Sequence, residues 1–170
     1  MPLSLVANWK LNGSKEFNHH WALEFFRNFN GNNYSSIGIA PASLYIDHLK
    51  AVLADHDIKV GSQNIDMEQT GARTGEISAS MIKDLGCAFS IVGHSERRIL
   101  FHETNQMICQ KLIQANNNSL LPILCIGESA DENQRNNTYK VLEEQIIEAL
   151  GNANELSSLI IAYEPVWAIG

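Results

Sequence analysis

The 170-residue chain is poor in the features that mark several common classes of protein. Its three cysteines, Cys87, Cys109 and Cys125, are widely spaced and form no CxxC pair, which is typical of a reducing compartment and not of a disulfide framework. Lys and Arg number 12 against 19 Asp and Glu, and this net charge of −7 disfavours nucleic acid or an anionic membrane as a partner. No apolar run approaches the ~20 residues of a transmembrane helix. We expect a cytoplasmic globular protein.

The sequence also lacks the short motifs of the commonest cofactor and metal sites. It contains no GxxxxGK phosphate loop, no GxGxxG dinucleotide fingerprint and no HExxH zinc motif. His19 and His20 have no acidic or cysteine partner at ligand spacing, so we expect them on the surface of a helix. The sequence therefore predicts no cofactor and no metal, although a lysine and helix N-termini can still bind a small phosphorylated molecule.

What the chain does contain is an alternation of short apolar runs and amphipathic segments. The first helix is expected to begin at Ser14 and to bury an aromatic stripe formed by Phe17, Trp21, Phe25 and Phe29. Six apolar runs are typical of strands, starting near Leu3, Ser36, Ile58, Phe89, Leu120 and Leu159. Because helical spacers join consecutive strands, the sheet should be parallel. This pattern predicts an α/β fold, either an open doubly wound sheet or part of a (β/α)8 barrel.

Polar side chains directly follow three of the predicted strands. Asn8 and Lys10 follow the first strand, His94 and Glu96 follow the fourth, and Glu164 follows the sixth. On an extended chain the two members of each pair would share a face. A lone histidine would more often bond a buried carbonyl than take part in chemistry. Three polar strand ends together, however, match the active-site rim at the carboxyl edge of a parallel sheet.

Four segments carry a resemblance to a known family. They are Asn8–Lys10 (NWK), Val92–Arg98 (VGHSERR), Cys125–Glu128 (CIGE) and Ala162–Gly170 (AYEPVWAIG). In this order and at this spacing they resemble the signatures of the triosephosphate isomerases. The resemblance implies a (β/α)8 TIM barrel, of which residues 1–170 would form a single partial domain with about six of the eight βα units. That domain would comprise strands one to six and the start of the lid loop after strand six.

The resemblance also implies an activity and the residues that carry it. The enzyme would interconvert dihydroxyacetone phosphate and D-glyceraldehyde 3-phosphate through an enediolate, in glycolysis and gluconeogenesis and without a cofactor. Glu164 would be the base, His94 a neutral electrophile, and Lys10 the cation that stabilises the anionic oxygen and binds the phosphate. Asn8 and the backbone of Gly170 would also bind the substrate.

Two residues receive supporting roles from the resemblance. Glu96 would pair with Lys10, although the sequence leaves an ion pair with Arg97 or Arg98 open. Cys125 matches a position behind the active site and is expected to be structural.

A long polar connection after the third strand, residues 62–76, resembles the dimer loop of the family. Thr74 would approach Asn8 and Lys10 of a second subunit. Arg73 stands where the family commonly has an aromatic residue, so a homodimer is expected while its packing at this position stays open. The alternative to an enzyme is a non-catalytic, truncated barrel fragment whose open sheet edges make it self-associate or require a complementing segment.

Overall fold

The computed structural model describes residues 3–29, 34–151 and 156–168. Its six strands are β1 (Leu3–Asn8), β2 (Tyr34–Ala40), β3 (Ile58–Ser62), β4 (Phe89–Val92), β5 (Leu121–Ile126) and β6 (Ile160–Tyr163). Each strand pairs in parallel with the next, so the strand order in the sheet equals the order in the chain. A doubly wound sheet reverses its strand order part of the way along, whereas a barrel wall does not. The observed order is that of a barrel with six units.

Helices connect the strands on one side of the sheet. They are α1 (Lys15–Asn28), α2 (Ile46–Val52), α3 (Ala79–Asp84), α4 (Ser95–Leu100), α5 (Asn105–Asn117), α6 (Ala130–Gln134) and α7 (Thr138–Leu150). Side-chain oxygens of Ser14, Ser78, Thr104 and Ser129 accept a backbone N–H bond in the first turn of α1, α3, α5 and α6. These caps satisfy donors that the helix itself leaves unpaired. Among the described residues, no helix is long and apolar enough to cross a membrane.

The core has two parts, one on each face of the sheet. Between sheet and helices lie residues with no exposed surface, among them Ile39, Ile46, Leu49, Val92, Ile108, Leu112 and Leu124. The other face carries a smaller cluster of Ala40, Phe89, Ile91, Ile123 and Cys125. A Cβ on Gly61 would lie 2.5 Å from the Phe89 ring. Glycine at this position is therefore what lets the ring fill the inside of the sheet.

The aromatic stripe of α1 differs from expectation because it is only partly buried. Phe17 is 40% exposed, and the buried residues of this helix are Asn18 and Ala22. The rings pack on one another instead, with centroids of Trp21 and Phe25 4.7 Å apart. The small Ala22 side chain lets α1 approach the core closely, and the larger rings lie beside that contact. His19 and His20 are exposed, as the sequence predicted.

Candidate active site

The predicted catalytic side chains come together at the carboxyl ends of β1, β4 and β6. Asn8 ends β1, Lys10 and His94 each lie two residues beyond a strand end, and Glu164 directly follows β6. These four residues line one cavity of about 400 Å³, with Val6, Tyr163, Pro165 and Ala168 forming the rest of its wall. The remaining predicted substrate contact, Gly170, lies outside the described residues.

Lys10 enters the cavity from an unusual backbone conformation. Its φ of 52° is in the left-handed region, which residues with a Cβ adopt at a cost. The Lys10 N–H donates to Asn8 Oδ1 at 2.9 Å, and the Lys10 carbonyl accepts from Gln63 Nε2 at 2.8 Å. The extended conformation expected through Lys10 is therefore wrong, because β1 ends at Asn8 and the chain turns, although both side chains line the cavity.

Glu96 pairs with Lys10 and not with either neighbouring arginine. Lys10 Nζ lies 2.8 Å from Glu96 Oε1, whereas Arg97 pairs with Glu103. The hydrogen bond from Lys10 lowers the pKa of Glu96 below its usual value, against the opposing effect of partial burial. Glu96 is consequently a carboxylate at neutral pH and holds the ammonium group at the cavity wall.

His94 caps the short helix α4. Its Nδ1 accepts a hydrogen bond from the Glu96 backbone N–H at 3.3 Å, so in the neutral ring this geometry assigns the proton to Nε2. Nε2 lies 3.4 Å from Glu164 Oε2, and the residue is only 5% exposed. The extended conformation expected for residues 94–96 is wrong, because α4 begins at Ser95. The imidazole nonetheless presents an N–H donor to the cavity.

Glu164 is the most accessible of the predicted catalytic groups, with 42% of its side chain exposed. Its backbone N–H donates to the carbonyl of Ile126 at 2.8 Å, which fixes the residue at the end of the sheet. Behind it lies Cys125, where burial and the nearby Glu164 charge raise the pKa of the thiol to about 12. Cys125 is therefore an uncharged thiol at neutral pH, which is the less nucleophilic form of cysteine.

Arg98 joins the ends of two neighbouring strands behind the site. Its Nε donates to the Gly93 carbonyl at 2.8 Å, and its Nη2 donates to the Cys125 carbonyl at 3.2 Å. Its Nη1 donates a third hydrogen bond to Asn105 Oδ1 at the start of α5. The guanidinium thus holds the backbone at Gly93, the residue that precedes His94.

Glu128, the last residue of the CIGE segment, has a structural role that the sequence did not indicate. It is fully buried, and it accepts hydrogen bonds from Trp167 Nε1 at 3.0 Å, Tyr163 Oη at 3.1 Å and Asn133 Nδ2 at 3.1 Å. Burial would raise its pKa, but these bonds together lower it below the usual value. Glu128 therefore fastens the segment around Glu164 to α6. A carboxylate two residues beyond the end of a strand, as in the CIGE segment, was the available signal.

An ion pair between two residues of the long connection after β3 stabilises that connection. Arg73 Nε lies 2.7 Å from Asp66 Oδ1, which also accepts the Glu68 backbone N–H at 2.7 Å. The Asp66 side chain is 5% exposed, whereas Thr74 at the tip of the loop is exposed. Arg73 therefore turns back onto its own loop, a contact that the sequence did not predict.

Comparison with known proteins agrees with this geometry. A sequence model described as triosephosphate isomerase matches residues 3–170. The triosephosphate isomerase of Nitrosococcus oceani is 38% identical over 168 residues, which cover 98% of this chain and 67% of the relative. That of Blochmanniella floridana is 44% identical over 174 residues, covering 99% and 66%.

A solved structure extends the comparison to the fold. The crystal structure of triosephosphate isomerase from Bartonella henselae superposes with a TM-score of 0.88 at 30% identity, covering 99% of this chain and 70% of that one. The chain spans about two thirds of the length of the curated relatives that it matches. On the matches in both sequence and structure, the chain belongs to the triosephosphate isomerase family.

Proposed function

We propose that this chain carries the catalytic base, the electrophile and the cation of an enzyme that interconverts dihydroxyacetone phosphate and D-glyceraldehyde 3-phosphate. The observation that carries the proposal is the convergence of Glu164, His94 and Lys10 on one cavity in a chain of this family. The domain, residues 1–170, would then hold six units of the barrel.

The reaction moves a proton between two adjacent carbons of the triose. Glu164 would remove it from one carbon and return it to the other, because its carboxylate faces the cavity and is accessible to a substrate there. His94 would donate its Nε2–H to the carbonyl oxygen as negative charge develops on it. The bond from the Glu96 backbone N–H to Nδ1 supports this role because it selects the tautomer with that donor.

Positive charge is needed for the enediolate and for the phosphate. Lys10 would supply it, and the ion pair with Glu96 would hold Nζ in place. Asn8 would contribute a further hydrogen bond. Gly170, outside the described residues, would contribute a backbone contact to the phosphate, within a lid that starts after Glu164.

The assembly we propose is a cytoplasmic homodimer that acts in glycolysis and gluconeogenesis. The braced loop of residues 62–76 supports it, because Thr74 is exposed at its tip. Apolar side chains near the site are also open to a second copy of the chain: Leu11 is 97% exposed, Leu100 67% and Phe101 61%. Covering such residues is a usual consequence of subunit association.

A second candidate is a non-catalytic chain that requires a complementing segment. It is favoured by the two edge strands, each of which pairs with a single neighbour among the described residues. Leu5 of β1 and Ile161 and Tyr163 of β6 are 44%, 46% and 50% exposed. An open edge with apolar side chains is a site for a further strand.

Isomerase assays on the purified chain distinguish the two candidates. We expect activity toward D-glyceraldehyde 3-phosphate and a fall of at least ~10²-fold in kcat for both Glu164→Asp and His94→Gln, the size of a general acid–base contribution. Glu143→Gln, on the exposed face of α7, is the matched control. Activity that appears only after adding the remaining third of a relative would favour the second candidate, and inactivity even then would contradict the isomerase proposal.

A further inference from the structure

Lys10 has an unfavourable backbone conformation, and contacts with the other proposed catalytic side chains, Glu164 and His94, do not account for it. Lys10 carries the ammonium group of the site on a left-handed backbone, with φ of 52°. A residue with a Cβ rarely stays in this region unless its surroundings hold it there. Asn8 Oδ1 holds the N–H side of the residue, and Gln63 holds its carbonyl side.

Gln63 uses a single nitrogen to bond two strand ends. It directly follows β3, and its Nε2 donates to the Lys10 carbonyl at 2.8 Å and to the Ala40 carbonyl at 2.9 Å. The Ala40 carbonyl also accepts the Trp9 backbone N–H at 3.0 Å. The ends of β1, β2 and β3 are thereby joined through one side chain. The two contacts from Gln63 bridge 53 and 23 residues of sequence.

The chemistry of glutamine suits this position. A primary amide places two N–H donors on one nitrogen without a charge, and each donor here meets a carbonyl. Glutamate has the same shape but no donor when ionised. Asparagine is one methylene shorter, and lysine would bring a second ammonium beside that of Lys10.

We propose that Gln63 is a positioning residue for Lys10: it holds the left-handed backbone and thereby places the ammonium between Glu96 and the cavity. Gln63 does not line the cavity, so it acts through Lys10 and not on the substrate. The effect of Gln63 on catalysis rests on the proposed function, whereas its effect on the Lys10–Glu96 contact does not.

The kinetic test replaces Gln63 with Met, which has a similar length and no donor. We expect Gln63→Met to lower kcat/KM by roughly 10- to 100-fold, the range expected when a catalytic group shifts by up to about 1 Å. In a Lys10→Met background the same substitution should change kcat/KM less than about twofold, since groups that act as a unit are not additive. Gln110→Met, on the exposed face of α5, is the matched control. Equal losses in both backgrounds would overturn the proposal.

A second readout needs no activity. The pKa of Glu96, followed by NMR of its carboxyl carbon, should rise toward its usual value in Gln63→Met, because the Lys10 hydrogen bond that lowers it is weakened. It should stay at the wild-type value in Gln110→Met. If the wild-type chain has no isomerase activity, the proposed function fails while this titration still decides the role of Gln63. An unchanged Glu96 pKa in Gln63→Met would show that Gln63 does not position Lys10.

Discussion

Replacing Glu96 with Gln should lower the activity of the protein while leaving the free energy of unfolding almost unchanged. The substitution keeps the shape of the side chain and removes its charge from the pair with Lys10. The two side chains are 46% and 37% exposed, and an ion pair this accessible to water contributes about 0 to 1 kcal/mol. Glutamine also keeps an oxygen that can accept from Lys10 Nζ. We therefore expect the free energy of unfolding to change by less than about 1 kcal/mol.

The effect on activity should be larger. A neutral amide holds Lys10 Nζ less firmly than the charged carboxylate that lies 2.8 Å from it in the wild type, so Nζ can shift from this position. Displacing a group that stabilises the transition state by about 1 Å costs about 10²-fold in rate. A 10²-fold fall in kcat/KM corresponds to about 2.7 kcal/mol of transition-state stabilisation.

Urea unfolding and steady-state kinetics on the same preparations test this separation. Glu143→Gln serves as the charge-matched control and should match the wild type in both measurements. Lys10→Met should lose at least as much activity as Glu96→Gln. Activity of Glu96→Gln within threefold of the wild type would show that the Glu96 charge does not position Lys10. A loss of unfolding free energy several times the expected maximum would show that the pair is a major contributor to stability.

Three further predictions concern the structure around the site. Glu103 pairs with the buried Lys111, so Glu103→Gln leaves that ammonium without its counter-ion. We expect urea unfolding to show a free energy of unfolding lower by about 3–5 kcal/mol. A loss below about 1 kcal/mol would contradict this. Burial raises the pKa of Asp66, but its bonds, first that from Arg73, lower it overall. A carboxylate with a depressed native pKa stabilises the fold above its unfolded value of about 4, and the contribution is lost as pH falls through the native pKa. Asp66→Asn should therefore lose less stability than the wild type on acidification, and equal slopes below about pH 4 would argue against the pair. Thr74→Arg should shift sedimentation equilibrium from dimer to monomer, whereas an unchanged distribution would remove this loop from the interface.

The strands could be predicted because their signal is local. β4 has the bounds that its apolar run indicates, Phe89 to Val92, and the other strands begin within two residues of the predicted positions. The short helices α4 (SERRIL) and α6 (ADENQ) could not be predicted, because they contain too few apolar residues to show a helical period. Which side chains of a helix are buried was harder to predict, because burial depends on the elements that pack against the helix and not on its own sequence alone.

Four residues that line the candidate site could be named from the sequence, but their geometry could not. The resemblance named Lys10, His94 and Glu164, while the left-handed turn at Lys10 depends on contacts made far along the chain. Gln63 carries no sequence signal, because a neutral amide in a loop has many ordinary uses. The Asp66–Arg73 pair was missed for a related reason: an arginine on an exposed loop is usually solvated.

The role of Glu164 as the base can be tested by following the proton that it is proposed to move. Dihydroxyacetone phosphate is incubated in D₂O with the chain, alone and with the complementing third of a relative, and ¹H NMR records the loss of the carbon-bound hydrogen. We expect exchange with solvent by the wild type and by Glu143→Gln, and exchange at least ~10²-fold slower by Glu164→Asp. No exchange by the wild type under either condition, or equal exchange by Glu164→Asp, would contradict it.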